Sequence, residues 1–320
     1  MRLWIVIVVV FLASCGTEDP SKGTNNDPNP LDFGQLDSGV DVGTDAITPS
    51  GTPFKFGTFN VRRFFDTVCQ SGNCSDVSDF EAQLSDAEFN FKAQKIATAI
   101  DRMDVDAISL EEIEDQAVLD KLVSELQTPF TIALIGETGA SGSLDVAVLS
   151  KGSLVEVRTH RDMRLQRPDG SNTSFAREFL EVHTDQNGRR VVLFAAHFKA
   201  QRNDDPGRRF AEAQAAGQIM TATAQEFPDA FVVLGGDLND TPNSEAITAL
   251  LAPGGLELLT KPDLWTYGSF NNTEHIDHII YVTNGAAAVD AEGPVVFDDG
   301  SGSYGGSDHR ALAATFLLAD

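Results

Sequence analysis

Hydrophobic positions along residues 54–318 follow two alternating patterns. Short continuous apolar runs are typical of buried strands, and apolar residues at every third or fourth position are typical of helices packed on a core. The runs predict strands at 54–61, 105–110, 130–135, 145–150, 190–198, 231–234, 276–282 and 311–318, and an alternating segment predicts a strand with one wet face at 175–183. The helical spacing predicts helices at 89–103, after a Ser85–Glu88 capping box, and at 118–126, 208–227 and 244–251. This mixed order implies an α/β sandwich with helices outside.

The N-terminal region has a different pattern. One Arg precedes an apolar run at residues 3–13, which is too short to span a bilayer and fits a signal peptide. Residues 16–53 are rich in Gly, Pro, Asn, Asp, Ser and Thr and cannot build a core, so they predict a disordered acidic tether. The predicted organisation is therefore a signal peptide at 1–15, a tether at 16–53 and one folded domain at 54–320.

The net charge of −25 bears on which binding partners are possible. A strongly acidic chain is repelled by DNA and by anionic lipid at long range, unless basic residues gather at one site. Taken alone, the charge indicates solubility.

Two cysteines lie in a Ser/Gly/Asn-rich segment of the folded domain, Cys69 and Cys74. Export would place them in an oxidising compartment, which favours a local disulfide. Two cysteines with no His nearby in sequence make a poor zinc site.

Polar residues stand at the ends of the predicted apolar strands. If the strands pack into one sandwich, these side chains converge at one edge, and converging carboxylates repel each other unless a cation neutralises them. Oxygen ligands without thiolate suit Mg²⁺ or Mn²⁺ better than zinc. The polar residues concerned are Asn60, Glu111, Glu112, His197, Asp237, Asn239, Asp277, Asp308 and His309.

The ordered set Asn, Leu-x-Glu, His, Gly-Asp-x-Asn, Ile-Asp-x-Ile, Ser-Asp-His resembles the endonuclease/exonuclease/phosphatase superfamily, to which deoxyribonuclease I belongs. The segments TFNVRRFFDT, ISLEEIED, HFKA, RRFAEAQAA and GGDLND resemble its extracellular bacterial nuclease branch. The resemblance implies a four-layer α/β sandwich, with two mixed sheets packed face to face and helices outside. It also implies a Mg²⁺-dependent phosphodiesterase, with Mn²⁺ or Ca²⁺ as other candidate ions.

Roles for the residues follow from this resemblance. Glu112 corresponds to the metal-binding Glu, and it shares strand parity with Leu110, so it is expected to continue that face. Metal binding is expected of Asn60, Glu112 and Asp308. Asp237 and Asn239 would position the attacking water and hold the phosphate. His309, oriented by Asp277, would bind the phosphate or act as base, and His197 would stabilise the phosphorane or assist the leaving oxygen. Arg177, in the 175–183 strand, matches a phosphate-contacting position, and local positive charge would come from Arg62, Arg63, Lys199 and Arg202.

Two departures from the branch bear on the site. Arg62-Arg63 replaces a Glu-Asn pair, which removes one phosphate or metal contact unless the arginines act as a phosphate clamp. Glu111 replaces a Gln and is expected to add negative charge near the metal.

The segment Leu12-Ala13-Ser14-Cys15 resembles the lipobox of bacterial lipoproteins, which implies lipidation at Cys15; the alternative is an ordinary signal peptide that ends in Cys. Gly16 after the cysteine implies an outer-membrane lipoprotein, periplasmic or surface-exposed. The expected contacts are a nucleic-acid substrate and the membrane through the lipid anchor, with no protein partner and a monomeric chain.

Three functions remain open at this point: a nuclease acting on DNA or RNA, a phosphatase or phospholipase C-like enzyme acting on phosphoinositide, sphingomyelin or small phosphate esters, and an inactive binding domain. A nuclease predicts a basic rim at the site. A lipid enzyme predicts an apolar membrane-facing loop. The inactive domain rests on Arg62-Arg63 alone.

Overall fold

A computed structural model describes residues 51–74, 80–269, 272–290, 293–300 and 302–319. The predicted signal peptide, Cys15 and nearly all of the predicted tether lie outside these residues. The strands are β1 (Thr52–Phe64), β2 (Ala107–Ile113), β3 (Ile132–Gly136), β4 (Asp145–Ser150), β5 (Ser153–Thr159), β6 (Leu165–Gln166), β7 (Asn172–Thr173), β8 (Leu180–Gln186), β9 (Arg189–His197), β10 (Phe231–Asp237), β11 (Leu256–Leu258), β12 (Tyr267–Ser269), β13 (Asn272–Glu274), β14 (Asp277–Val282), β15 (Ala287–Val289), β16 (Val295–Phe297) and β17 (Ala311–Leu318). The helices are α1 (Asp86–Met103), α2 (Gln116–Glu125), α3 (Pro206–Glu226) and α4 (Glu245–Leu251).

Two large mixed sheets organise the fold. The first has the order β15-β17-β1-β2-β4-β3, with β16 also paired to β17, and the second has the order β11-β14-β10-β9-β8-β5. Each contains one central parallel pair, β1 with β2 and β9 with β10, among antiparallel neighbours. Two short hairpins, β6-β7 and β12-β13, complete the described strands.

The core lies in three layers. Apolar side chains from both sheets fill the space between them; Phe231 of one sheet meets Phe316 of the other at 4.6 Å between ring centroids. A second cluster joins the first sheet to α1 and α2, and a third joins the second sheet to α3 and α4. The predicted four-layer α/β sandwich with two face-to-face sheets and outer helices is therefore confirmed.

Several predicted elements agree closely with the structure. Strand β4 has the predicted bounds, and α1 begins at a capping box in which Ser85 accepts from Glu88 N and the Glu88 carboxylate accepts from Ser85 N. Strand β1 begins at Thr52, so the predicted tether is too long at its C-terminal end: Thr52 and Pro53 pair with β17. The strand's antiparallel partner supplies the pairing that the polar sequence of this segment does not indicate.

The strand predicted at 175–183 is wrong in its first half and in its burial. Residues 175–179 lie outside any strand, so Arg177 is not a strand residue, and β8 begins at Leu180. Both faces of β8 are buried, including Glu181 and His183. The polar side chains of β8 can be buried because the Glu181 carboxylate is bonded by the Nε2 atoms of His160 and His183, at 2.7 and 2.6 Å.

All the polar strand ends lie at one edge of the two sheets. The parallel pairs end there, and β14 and β17 start there, running antiparallel to β10 and β1. Within the described residues, no helix combines the length and apolar character needed to cross a membrane.

Candidate active site

A cleft of about 380 Å³ opens at this edge of the sandwich. Three of the predicted site residues do not line it: Asn60 and Asp277 lie buried directly behind its wall, and Lys199 lines a neighbouring groove. The remaining ten predicted residues line the cleft, namely Arg62, Arg63, Glu112, Arg177, His197, Arg202, Asp237, Asn239, Asp308 and His309.

Glu112 reaches the cleft by a route that strand parity does not predict. Leu110 faces the cluster under α1 and α2, so simple alternation would direct Glu112 to that side. Instead, the β2 pairing is interrupted by a bulge next to Glu112, whose φ is 69°, and its carboxylate accepts from Arg63 N at 2.7 Å. A bulge changes the direction of a side chain at a strand end. Here it turns Glu112 into the cleft, so the parity argument is wrong although Glu112 does line the cleft.

Asn60 links the two sheets. Its Nδ2 donates to Asp237 Oδ2 at 3.0 Å and to Glu112 Oε1 at 3.4 Å, and its Oδ1 accepts from Arg62 N at 2.9 Å. The amide thus holds the carboxylates of Glu112 and Asp237 close together from behind. Since the Asn60 oxygen still has a second lone pair, the residue remains available as a metal ligand.

Asp237 ends β10 and is fully enclosed. Its Oδ1 accepts from Asn239 N at 2.9 Å, an arrangement that Asn239 allows by adopting a left-handed φ of 52°. Burial and the neighbouring Asp277 carboxylate raise the pKa of Asp237 to about 7, although His309, Asn60 and Asn239 act against that rise. Asp237 is therefore poised to exchange a proton near neutral pH.

His309 and Asp277 form a buried ion pair. His309 Nδ1 lies 2.9 Å from Asp277 Oδ2, and His309 Nε2 lies 3.9 Å from Asp237 Oδ2. Burial by itself lowers the pKa of His309, but Asp277, Asp237 and Asp308 raise it to about 10. The imidazolium form is therefore favoured at neutral pH, with its Nε2 directed toward Asp237.

His197 ends β9 and has the opposite character. Burial, reinforced by Arg177 and His309, holds its pKa well below the usual value. Its Nε2 lies 3.7 Å from Asp237 Oδ2. The ring is thus neutral at physiological pH and can donate one hydrogen bond without bringing a charge.

The carboxylates suit a hard divalent cation. Glu112, Asp237 and Asp308 line one cleft, and they are oxygen donors with no thiolate. Asp237, Asp277 and His309 also offer atoms within 4.8 Å of one another. However, Asp277 is enclosed and engaged by His309 through both carboxylate oxygens, so we assign it to orienting the histidine. The residues that could hold a metal are Glu112 and Asp308, with Asn60 behind them.

The predicted cations differ in how they meet the cleft. Arg62 is 53% exposed and places Nε 3.3 Å from Asp308 Oδ2. Arg177 is half-buried and donates to the backbone oxygens of Leu144 and Phe198. Lys199 does not reach the cleft, because its ammonium donates to the carbonyls of Ala200 and Arg202. Lys199 therefore fixes its own loop beside the cleft, and a contact with substrate stays a prediction.

Glu111, which we expected to add negative charge near the metal, does not line the cleft. It lies between the sheets with Thr58 Oγ1 donating to its carboxylate, and burial raises its pKa well above the ordinary value, as do Asp277 and Asp237. A neutral Glu111 has nearly the shape of the Gln that the family resemblance led us to expect. The raised pKa favours this neutral form, which replaces Gln without adding a charge.

Two positioning residues escape sequence reasoning. Lys92 of α1 donates to the backbone oxygens of Arg62 and Arg63, at 2.5 and 3.0 Å, and so fixes two consecutive left-handed residues. Glu212 of α3 accepts from Ala176 N at 2.6 Å and from Lys199 N at 2.7 Å, which ties the segments next to Arg177 and Arg202 to one helix. In the sequence, each is only a charged residue on the side of a helix that faces the core. Their hydrogen-bond partners lie far away along the chain, so the sequence does not indicate them.

Cys69 and Cys74 are joined by a disulfide. The loop they close supplies Gln70 N and Ser71 N to the buried Glu81 carboxylate, at 2.5 and 2.6 Å. Glu81 in turn contacts Gly142, in the wall of the groove next to the cleft. The disulfide therefore supports part of the cleft's surroundings.

The chain is similar in sequence family and in fold to known proteins. A model of the Endonuclease/Exonuclease/phosphatase family matches residues 57–309. No curated protein matches the sequence. Truncated Caenorhabditis elegans TDP2 is 16% identical and aligns over 84% of this chain and 99% of its own, with a TM-score of 0.59. The human Nocturnin catalytic domain with bound sulfate is 17% identical over 83% and 95%, with a TM-score of 0.57. D. rerio TDP2 complexed with a single strand DNA product is 13% identical over 83% and 100%, with a TM-score of 0.55. At these identities the similarity establishes the fold.

Proposed function

Because the chain belongs to the Endonuclease/Exonuclease/phosphatase family, a family of phosphoesterase hydrolases, we propose that it is a divalent-metal-dependent nuclease. One observation carries the proposal: a single cleft is lined by side chains from four separate segments, namely Glu112, His197, Asp237, Asn239, Asp308 and His309. Such convergence brings a metal site, a base and a phosphate-binding cation within reach of one phosphodiester.

Glu112 and Asp308 would hold the cation, with Asn60 supporting them from behind. A bound divalent ion would neutralise these carboxylates and the negative charge that develops on the phosphate during hydrolysis. The cluster is enclosed and rich in carboxylates, which explains why a cation would bind favourably there.

The chain's own residues supply the remaining steps. Asp237 takes a proton from the attacking water, because its pKa of about 7 makes it an effective base near neutral pH, and Asn239 holds the same water or a phosphate oxygen. His309 acts as a cation, kept protonated by Asp277, and binds the scissile phosphate through Nε2. His197 donates a neutral hydrogen bond to the phosphorane or the leaving oxygen.

The rim of the cleft supports a nucleic-acid substrate over a lipid. Arg62, Arg63, Arg177 and Arg202 line it, so basic residues gather there in an otherwise acidic chain. Among the described residues, Phe80 is the only strongly exposed large hydrophobic side chain at the cleft, which is too little for a membrane-facing loop. The D. rerio TDP2 structure is a complex with a single strand DNA product, and that fold is shared. The full set of acids and histidines argues against an inactive binding domain.

The direct test is hydrolysis. The protein is incubated with DNA, RNA, a phosphoinositide, sphingomyelin and the small ester bis(4-nitrophenyl) phosphate, with Mg²⁺, Mn²⁺ or Ca²⁺ and with EDTA. We expect cleavage of nucleic acid that stops with EDTA. Cleavage of a lipid with nucleic acid left intact would support the phospholipase instead, and no cleavage under any metal would support the binding domain.

We also propose that the chain is an exported lipoprotein anchored through Cys15, which would place the nuclease in the cell envelope. The support is the apolar run at residues 3–13 followed by Leu-Ala-Ser-Cys. The test replaces Cys15 by Ser and fractionates the cells. Membrane association as strong as that of the parent would contradict the proposal.

A further inference from the structure

A second groove, of about 640 Å³, continues from the active-site cleft. The two share Phe80, Leu144, Arg177, Ala200 and Arg202 among their lining residues. One wall is the loop at 138–144, where small side chains leave open space, and the other is the loop at 199–203. A ligand whose phosphate occupies the cleft can therefore extend into the groove without a break.

The groove has the opposite charge to the molecule as a whole. The chain has a net charge of −25, yet the groove is lined by Arg161, Arg177, Lys199 and Arg202, and no described carboxylate lines it. Three acids next to the groove, Glu81, Asp145 and Glu212, are buried, and backbone N–H groups bond them. In a protein that repels polyanions at long range, a local basic channel indicates a specific anionic ligand.

Two of these cations are anchored by neutral groups. Arg161 donates from Nη1 to Thr138 O at 2.8 Å, and Arg177 donates to the backbone oxygens of Leu144 and Phe198. Backbone carbonyls position a guanidinium without cancelling its charge. Both side chains are thus held in place while their charge remains available to a phosphate.

Phe80 stands at the junction of the two cavities. The residue is 54% exposed, although its ring forms a T-shaped pair with Phe65 at 5.9 Å between centroids and its carbonyl accepts from the Arg63 guanidinium. An aromatic residue that is held by a neighbouring ring and is still more than half exposed is a platform on which a nucleic-acid base can stack. A bare phosphate would not use such a ring.

We propose that this groove binds the nucleotides next to the scissile phosphate of a single-stranded nucleic acid, with one base stacked on Phe80 and the adjoining phosphates held by Arg161 and Arg202. The inference rests on the proposed nuclease function and names its substrate class. A single strand is required because a base within a duplex is already stacked between its neighbours and cannot turn onto Phe80.

The test compares a single-stranded hexanucleotide with bis(4-nitrophenyl) phosphate, which has a single phosphate and no nucleobase. Variants of the full chain are F80A, F80W and R161A, and the matched control is R164A, which removes the same charge from an exposed arginine bonded to Asn172 outside both cavities. We expect F80A to raise KM for the hexanucleotide by roughly 5- to 100-fold, since base stacking contributes on this scale. F80W should restore the parental KM.

R161A should raise KM for the hexanucleotide and flatten the salt dependence of log KM by about 0.7 for each phosphate that the variant no longer binds. Both effects should be at least tenfold smaller on the small ester, and R164A should change neither substrate. Any one of three results would overturn the groove assignment. These are equal effects of F80A on both substrates, a hexanucleotide KM that neither F80A nor R161A changes, and a lower KM for a duplex than for the single strand. If the parent cleaves neither substrate with any divalent metal, the nuclease function itself fails.

Discussion

Replacing Asp237 by Asn should stabilise the metal-free protein at alkaline pH. Asp237 is enclosed beside Asp277 at the sheet edge, and this raises its pKa from an ordinary 3.8 to about 7. A carboxyl whose folded pKa is raised binds its proton more tightly in the folded state, so its contribution to stability falls as pH rises from 3.8 through 7. Above pH 7 the folded protein carries the full cost of this ionised group.

The expected gain follows from two opposing terms. A shift of about three pKa units corresponds to roughly 4 kcal/mol of destabilisation, which Asn removes. Both carboxylate oxygens accept hydrogen bonds, from Asn239 N and Asn60 Nδ2, and the Asn amide can accept only one of them. The mispaired donor costs about 1–3 kcal/mol. The net gain at pH 8.5 is therefore about 1–3 kcal/mol, or a rise in Tm of roughly 3–10 °C.

The assay is urea unfolding with EDTA at pH 5 and pH 8.5, with Asp229→Asn as the control for loss of one exposed carboxylate. At pH 5 the parent holds most of its proton on Asp237, so the variant should be no more stable than the parent. Adding Mg²⁺ should stabilise both proteins, because the proposed ligands Glu112 and Asp308 remain in the variant and a ligand that binds only the folded state raises its stability. A stability difference that is the same at both pH values would refute the reasoning, since it would show that Asp237 is neither desolvated nor repelled.

Three further predictions concern the rest of the site. Glu112→Gln should lower metal-dependent hydrolysis by orders of magnitude with the fold intact. The losses of activity from Glu112→Gln and His309→Ala should be strongly non-additive in the double variant, because the residues act as a unit. A parental kcat at saturating Mg²⁺ would exclude Glu112 as a ligand. Arg62→Ala should raise KM for a polyanionic substrate and reduce its salt dependence, because Arg62 is an exposed cation at the rim; the kinetics are measured at several salt concentrations, and an unchanged slope would count against the basic rim. Replacing both Cys69 and Cys74 by Ser should lower stability by at most about 2 kcal/mol, because the closed loop is short. The double variant should nevertheless have a higher KM for the hexanucleotide, because Ser71 and Glu81 support the groove wall. A parental KM, measured alongside urea unfolding, would show that the wall does not need the disulfide.

Sequence alone determined the positions of the main strands and the identity of the residues at their ends. The 145–150 strand, the Ser85 cap of α1 and the polar residues after β9 and β10 were all predictable, because each depends on neighbours within a few residues. The edge at which they meet was predictable as well, because the ends of parallel strands in a packed sandwich lie together. The short strands β6, β7, β11–β13, β15 and β16 were not, since their pairing partners, and not their own hydrophobic pattern, make them strands.

Only the tertiary structure decided how these residues work together. Glu112 points into the cleft because a bulge reverses its local direction, and Lys199 does not reach the cleft because nearby carbonyls hold its ammonium. The opposite pKa shifts of His309 and His197 arise from the charges around each ring, which come from segments far apart along the chain. The groove is likewise assembled from Phe80, Arg161 and two distant loops. Local sequence patterns carry no information on these contacts, because burial and electrostatic interaction depend on distance in space and not on separation along the chain.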